Sequence, residues 1–240
     1  MENFLNQKIG DVVAQDYRAA AVFNKYGIDF CCGGHKSIGS VLASTTVPVD
    51  DLQQELTTLL AQQQEEEQDF NAWSLTALAE YIIHTHHQYV RRHIPVLTGF
   101  LEKLQRVHGL RHPELKAVRD LFLDSASALE HHMVKEEQVL FKYVLKMEEA
   151  QANHESLERP FFDSINNPIQ VMLQEHSTES DNFQKIAQLT NNYSAPEDAC
   201  TTYRVSFSML KDFQDDLYKH IHLENNILFP KAIRLESELL

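Results

Sequence analysis

The sequence predicts an all-α protein, an antiparallel four-helix bundle preceded by a small helical domain. Three observations carry that expectation. Glycine and proline number only 7 each in 240 residues, too few for the many turns of a sandwich or barrel. From Ser74 onward, apolar residues recur at helical spacing through four long stretches with fairly short breaks between them. One pattern also appears twice, at 132–141 and at 220–229: His, three residues, Glu, three residues, Leu-Phe. A His and a Glu four apart lie on one face of a helix. The Leu-Phe that follows sits close to that face, so each copy aims an imidazole and a carboxylate into an apolar interior.

The small domain is expected over residues 1–66. Asp11 can cap a turn through Val12 and Val13. Ala19, Val22, Phe23 and Tyr26 form an apolar stripe that Gly27 can end. The chain then runs through Ile28-Asp29-Phe30 into Cys31-Cys32-Gly33-Gly34, and Ser37 can cap a short helix through Ile38, Val41 and Leu42. Pro48 breaks it, and Asp50 or Asp51 opens a helix with Leu52, Leu56, Leu59 and Leu60 on one face. The acidic run from Gln62 to Asp69 reads as a solvated helix end or linker, and the boundary is placed there.

The bundle is expected over 67–240. Its first helix begins after Ser74, an N-cap residue, with Trp73 as an anchor, and Pro95 should kink it or interrupt its ladder. His112-Pro113 starts the second, which runs to about Glu149. A looser stretch from Gln151 to Asn167 follows, and Pro168 suits the first turn of the third helix. Asn191 to Pro196 is a turn, with Pro196 opening the fourth helix.

Composition narrows the function. A net charge of −14 argues against nucleic-acid binding and against a polybasic membrane binder. There is no run of eighteen apolar residues, so no transmembrane helix is expected, and Met1 to Lys8 shows no signal-peptide pattern. Three cysteines, two of them adjacent, make no disulfide framework, and a reducing cytoplasm is the expected setting.

The 13 histidines carry the chemistry. The second helix gives His132 and Glu136, and the fourth gives His220 and Glu224. On the third, His176 lies one turn past Met172. On the first, His84, His86 and His87 compete. His87 shares the stripe of Ile83, Val90 and Ile94, but periodicity leaves His84 open. A buried carboxylate is costly unless paired or metal-bound. Four imidazoles and two carboxylates from one bundle core suit a pair of iron or manganese ions with bridging carboxylates. Zinc would prefer a closed tetrahedron, or three ligands and water. Glu137, one residue round the helix, is expected off the site. His35, His154 and His222 are expected to be exposed, His93 and His131 off the stripe, and His108 a weak outer candidate. Cys200 reads as structural.

Cys31-Cys32 reads either as a thiol pair that takes up or passes iron, electrons or nitric oxide, or as two small buried residues behind a glycine turn. A vicinal disulfide would be strained.

These residues carry a resemblance. The bundle is similar to the hemerythrin-like domain, and the whole chain resembles the iron–sulfur cluster repair di-iron proteins, the repair-of-iron-centres family. The most specific matches are Asp29-Phe30-Cys31-Cys32-Gly33-Gly34, His132 to Gln138, Glu175-His176 and His220 to Asn226. The family's first-helix ligand stands eight residues before a Leu-Pro or Ile-Pro proline, which is His87 before Ile94-Pro95 and demotes His84 and His86. The resemblance implies two Fe ions in an oxo- or hydroxo-bridged centre on His87, His132, His176 and His220, bridged by Glu136 and Glu224. Cys31 and Cys32 are then a candidate thiol relay. Oxygen-carrying hemerythrins have a second His one turn after the third-helix ligand. Here that position is Ser180, which implies an open iron site suited to reactivity. The implied role is repair of iron–sulfur clusters damaged by nitrosative or oxidative stress, with the damaged proteins as partners and a homodimer possible. Alternatives are reduction of nitric oxide to nitrous oxide, and an oxygen or iron-state sensor.

Overall fold

The computed structural model describes residues 4–61 and 69–240. Among them the chain is all-α, with no β feature beyond an isolated bridge between Lys8 and Ser37. The expected boundary at 66/67, and the acidic run as far as Gln68, lie outside the described residues.

The N-terminal part holds α1 (Ile9–Gln15), α2 (Ala19–Lys25), α3 (Ile38–Leu42) and α4 (Val49–Leu60). Asp11 does not cap α1. The helix starts earlier, at the fully buried Ile9, whose N–H is held by the Lys36 carbonyl at 3.0 Å. Gly27 ends α2 with φ +66°, a conformation that costs glycine little. Ser37 caps α3, its hydroxyl accepting the Ser40 N–H at 3.2 Å. Between α2 and α3 the Asp29 carboxylate accepts the N–H groups of Cys31, Cys32 and Gly33, each at 3.0 Å. That folds the cysteine loop tightly around one side chain.

Four long helices follow. α5 comprises Leu75–Tyr81, a π-helical turn Ile82–His87 and Gln88–His108. α6 comprises Glu114–Lys135, a π turn Glu136–Leu140 and Phe141–Asn153. α7 spans Asn166–Leu189. α8 comprises Thr201–Leu223, a π turn Glu224–Leu228 and Phe229–Leu239. Each helix packs on the next and α8 returns to α5, closing the bundle.

Ser74 caps α5 by accepting the Ala77 N–H at 3.1 Å, a contact worth about 1 kcal/mol. Glu148 takes the next free donors, Leu75 N–H and Thr76 N–H. Trp73 packs with Phe70 and Tyr81 at this corner. Pro95 stands inside Gln88–His108 without ending it, on the exposed side. α8 begins at Thr201 rather than Pro196. Asn191, Asn192 and Tyr193 all have positive φ, and a turn closed by Ala199 N–H on Pro196 O delays the helix.

The apolar interior falls into two clusters. One joins Phe4, Ile9, Phe23, Phe30 and Leu56 of the N-terminal part to Leu101, Phe122, Phe183 and Phe213 of the bundle. The other holds Leu78, Val144, Ile169 and Leu228 at the opposite end. Each fully buried Leu, Ile or Phe contributes roughly 1.5–3 kcal/mol. Between the clusters lies a buried polar layer.

Candidate metal centre

That polar layer contains His87, His132, Glu136, His176, His220 and Glu224, none more than 4% exposed. Their ligand atoms form two overlapping groups. His87, Glu136, His220 and Glu224 make one, and His132, Glu136, His176 and Glu224 the other, with all atoms in each group within 4.8 Å of one another. The two carboxylates are common to both. His132 Nε2 and His87 Nε2 lie 3.2 and 3.3 Å from Glu136 Oε2. His220 Nε2 lies 3.1 Å from Glu224 Oε1, and His176 Nε2 lies 3.2 Å from Glu224 Oε2.

Outer contacts set the state of three rings. His87 Nδ1 meets Glu137 at 2.7 Å, His132 Nδ1 meets Glu175 at 2.8 Å, and His176 Nδ1 meets Asn225 Oδ1 at 2.7 Å. Each partner is an acceptor, so each Nδ1 carries the proton and each Nε2 turns a lone pair inward. The inward nitrogens of His132 and His176 then meet at 3.1 Å without a donor, and His87 Nε2 faces His220 Nε2 at 3.2 Å. All four oxygens of Glu136 and Glu224 also lack a hydrogen-bond donor. Two buried carboxylates facing these inward nitrogens need positive charge between them. The donor set fits a pair of cations.

The electrostatics show how strongly the rings and carboxylates of this layer attract each other. Burial pushes the Glu136 carboxyl up, but His132 and His87 outweigh it and hold it well below the usual carboxylate range. Burial pushes His132 down, but Glu136 and Glu175 outweigh it and raise it to about 10. His220 goes the other way, because burial exceeds the pull of Glu224. The bond to His132, with Lys135 alongside, draws Glu175 down to about 2.

Several expectations change. Glu137 is not off the site: it accepts from His87 and also pairs with Arg91 at 2.8 Å. His84 is exposed, whereas His86 is 1% exposed, bonded to Asp216 at 2.9 Å and stacked on His220 at 5.6 Å. The π turn is the reason, since its wider winding brings two successive histidines inward. His222 is buried rather than exposed, because Phe30 and Tyr17 of the N-terminal part cover it, and burial lowers it to about 3. His35, His131 and His154 are exposed, and His93 and His108 half-buried. Cys200 is exposed, with His108 Nε2 3.4 Å from its sulfur. Sequence reasoning did not pick out Glu175, Glu179 or Asn225 as site neighbours. The signal for Glu175 and Asn225 was adjacency to His176 and Glu224, and Glu179 stands about one turn after His176.

A cavity of 220 Å³ reaches the layer on the side of His132, His176 and His220, lined also by Glu175 and Glu179. Ser180 is buried and lines a different cavity, of 320 Å³, beside Cys31 and Tyr218.

The cysteine loop lies directly over the π turn of α8. Asn226 Nδ2 donates to the Cys31 carbonyl at 3.1 Å. A Cβ on Gly34 or Gly10 would stand 2.4 or 2.5 Å from Asn226 Oδ1, so both glycines are needed for this approach. The two thiols differ. Cys31 is buried and donates to Asp29 Oδ1 at 3.2 Å, and its Cys32 neighbour, burial and Asp29 push it well above the usual thiol range. Cys32 is half-buried, with Asn225 Nδ2 3.9 Å from its sulfur.

Comparison with known proteins agrees with this architecture. Residues 5–60 match the domain of unknown function DUF542, also called ScdA_N, and residues 78–232 match the hemerythrin HHE cation binding domain. The iron-sulfur cluster repair protein YtfE of Yersinia pestis (strain Pestoides F) is 33% identical over 237 residues, covering 98% of this chain and 100% of that protein. The YtfE of Yersinia pseudotuberculosis serotype O:1b (strain IP 31758) matches to the same extent. No described helix is long and apolar enough to cross a membrane. The His and Glu layer thus sits inside a cation-binding domain, and the chain belongs to the hemerythrin HHE family and, along its whole length, to the family of the YtfE iron–sulfur cluster repair proteins.

Proposed function

We propose that this chain repairs damaged iron–sulfur clusters through a di-iron centre. His87 and His220 would hold one iron and His132 and His176 the other, with Glu136 and Glu224 shared between them. The observation that carries this reading is the sharing of both carboxylates between the two groups, with every carboxylate oxygen lacking a donor. Imidazole with bridging carboxylate suits iron. The name of the YtfE relatives supplies the repair role. The clients are iron–sulfur proteins damaged by nitrosative or oxidative stress, and the setting is the cytoplasm.

When bound, the iron pair supplies a site that can give up or take on iron or electrons. The chain's own residues prepare it. Glu137, Glu175 and Asn225 hold the Nδ1 protons and so fix three rings with their Nε2 lone pairs inward. Leu, Ile and Phe on both sides exclude bulk water, leaving the cavity beside His132 and His176 as the approach. Cys31 and Cys32 are the thiol relay, with the half-buried Cys32 as the outward member.

Iron-replete protein should hold about two irons per chain. It should also restore activity to an enzyme whose iron–sulfur cluster has been damaged by nitric oxide. Stoichiometric zinc with no iron would overturn the di-iron centre, and an iron-loaded protein that leaves the damaged enzyme inactive would overturn the repair role.

A further inference from the structure

Asn225 touches both the histidine layer and the cysteine loop. Its Oδ1 accepts from His176 Nδ1 at 2.7 Å, and its Nδ2 points at Cys32 Sγ at 3.9 Å. The polarity of this chain follows from which His176 nitrogen carries the proton. Asn225 Oδ1 accepts at Nδ1, and a cation on His176 Nε2, the nitrogen that faces Glu224, would keep the proton on Nδ1. An amide that accepts at its oxygen presents its N–H groups at the other end, and those reach the sulfur. Asn226 and the close glycines pin the loop at this distance.

We propose that Asn225 couples Cys32 to the cation on His176, so that metal loading changes the reactivity of this thiol and not that of Cys200. The inference rests on the metal assignment made above. A cation on Nε2 locks the tautomer and polarises Nδ1–H, which strengthens the bond to Asn225. Polarisation passes along hydrogen-bonded chains, so the amide N–H becomes a better donor to sulfur. An anionic sulfur accepts that donor more strongly than a neutral one. Without a cation, His176 can carry its proton on Nε2 beside Glu224, and Asn225 can turn its oxygen toward Cys32. Cys31 is the less reactive of the two, since its thiol is buried and donates to Asp29. Asn225 is therefore a positioning residue, and Cys32 is the thiol that registers whether the centre is filled.

The test is the rate of iodoacetamide alkylation at each cysteine, read by peptide mass spectrometry. It is run on full-length protein, metal-free and loaded anaerobically with ferrous iron, with iron measured in each sample. Loading should speed Cys32 about fivefold, the low end of coupling between sites, and leave Cys200 unchanged. Asn225→Asp keeps an acceptor for His176 but has no N–H for sulfur, so it should hold iron and show no loading effect at Cys32. Asn225→Ser, which reaches neither partner, should also lose the effect. Equal Cys32 rates in loaded and metal-free wild type, or a loading effect that survives in both variants, would overturn the coupling and leave the metal assignment standing. Slower alkylation on loading would also overturn it, by placing a cation on the thiols. A protein that takes up no iron would overturn the metal assignment and the coupling together.

Discussion

The turn of α6 around Glu136 and the turn of α8 around Glu224 are built alike. Each has a His one turn before the shared Glu, enters a π turn at that Glu, and ends in Leu-Phe. The next residue in each then supports a histidine on another helix: Glu137 accepts from His87, and Asn225 from His176. The difference lies in what that residue does with its other end. Glu137 is a carboxylate with acceptors only, and it spends the surplus on Arg91. Asn225 is an amide with donors left over, and it lies under the cysteine loop. The same local geometry therefore ends at an ion pair near the surface in one copy and at a thiol in the other. One residue type separates a purely supporting partner from one that can communicate.

The largest test of this comparison concerns what the copies share. Glu136→Gln and Glu224→Gln should have matching effects, because each carboxylate belongs to both groups. Iron content should fall from about two per chain to one or none in either variant, with any magnetic coupling lost. A variant that keeps a coupled pair would show that the copies are unequal at the centre itself. Next in size is the loss of one ring. His87→Ala should lose or weaken one iron, whereas His84→Ala should match wild type, since His84 is exposed. A reversed result by metal analysis would refute the helix phase.

A smaller effect is expected at the outer partners. Glu137→Gln keeps an acceptor oxygen but loses the charge that faces His87 and Arg91. Iron affinity, measured by chelator competition, should weaken by about tenfold, the low end for such partners. An unchanged affinity would mean that Glu137 answers only to Arg91. The smallest effect on the metal is expected at the far end of the other copy. Cys31→Ala with Cys32→Ala should leave the iron content and spectrum near wild type, because the thiols supply no ligand atom to either group. The same protein should be impaired in repairing a nitrosylated cluster enzyme. Full repair would make the pair a packing feature.

The four long helices were legible because Leu, Ile, Val and Phe recur along them at helical spacing; that phase gave the inward residues of the other three helices, while His87 was separated from His84 only by the family's spacing to Pro95. Ser37 and Ser74 were legible as caps because a hydroxyl in front of an apolar stripe has few other roles. The π turns were not legible. No residue type favours an i→i+5 bond, and the turns are held by what packs around them. His86 was missed for that reason, and Ile82 rather than Ile83 carries the buried side at that level. Glu137, Glu175 and Asn225 flank inward residues, and only the packing of neighbouring elements decides whether a flank meets solvent or a ring. His222 shows this most plainly. Helical phase alone left it on an outer face, and the N-terminal part covers that face with Phe30 and Tyr17.

The division of the apolar interior into two clusters bears on cooperativity. The N-terminal part shares its core with one end of the bundle, and the polar layer separates that core from the other end. When cations fill the layer, ligands from all four long helices are tied across it, and the two ends should melt as one unit stabilised by bound metal. With the layer stripped, unpaired carboxylates and imidazoles remain where a continuous core would otherwise transmit order. Calorimetry of metal-free protein should then resolve two transitions, with the cysteine loop melting alongside Phe183 and Phe213 rather than alongside Ile169 and Leu228.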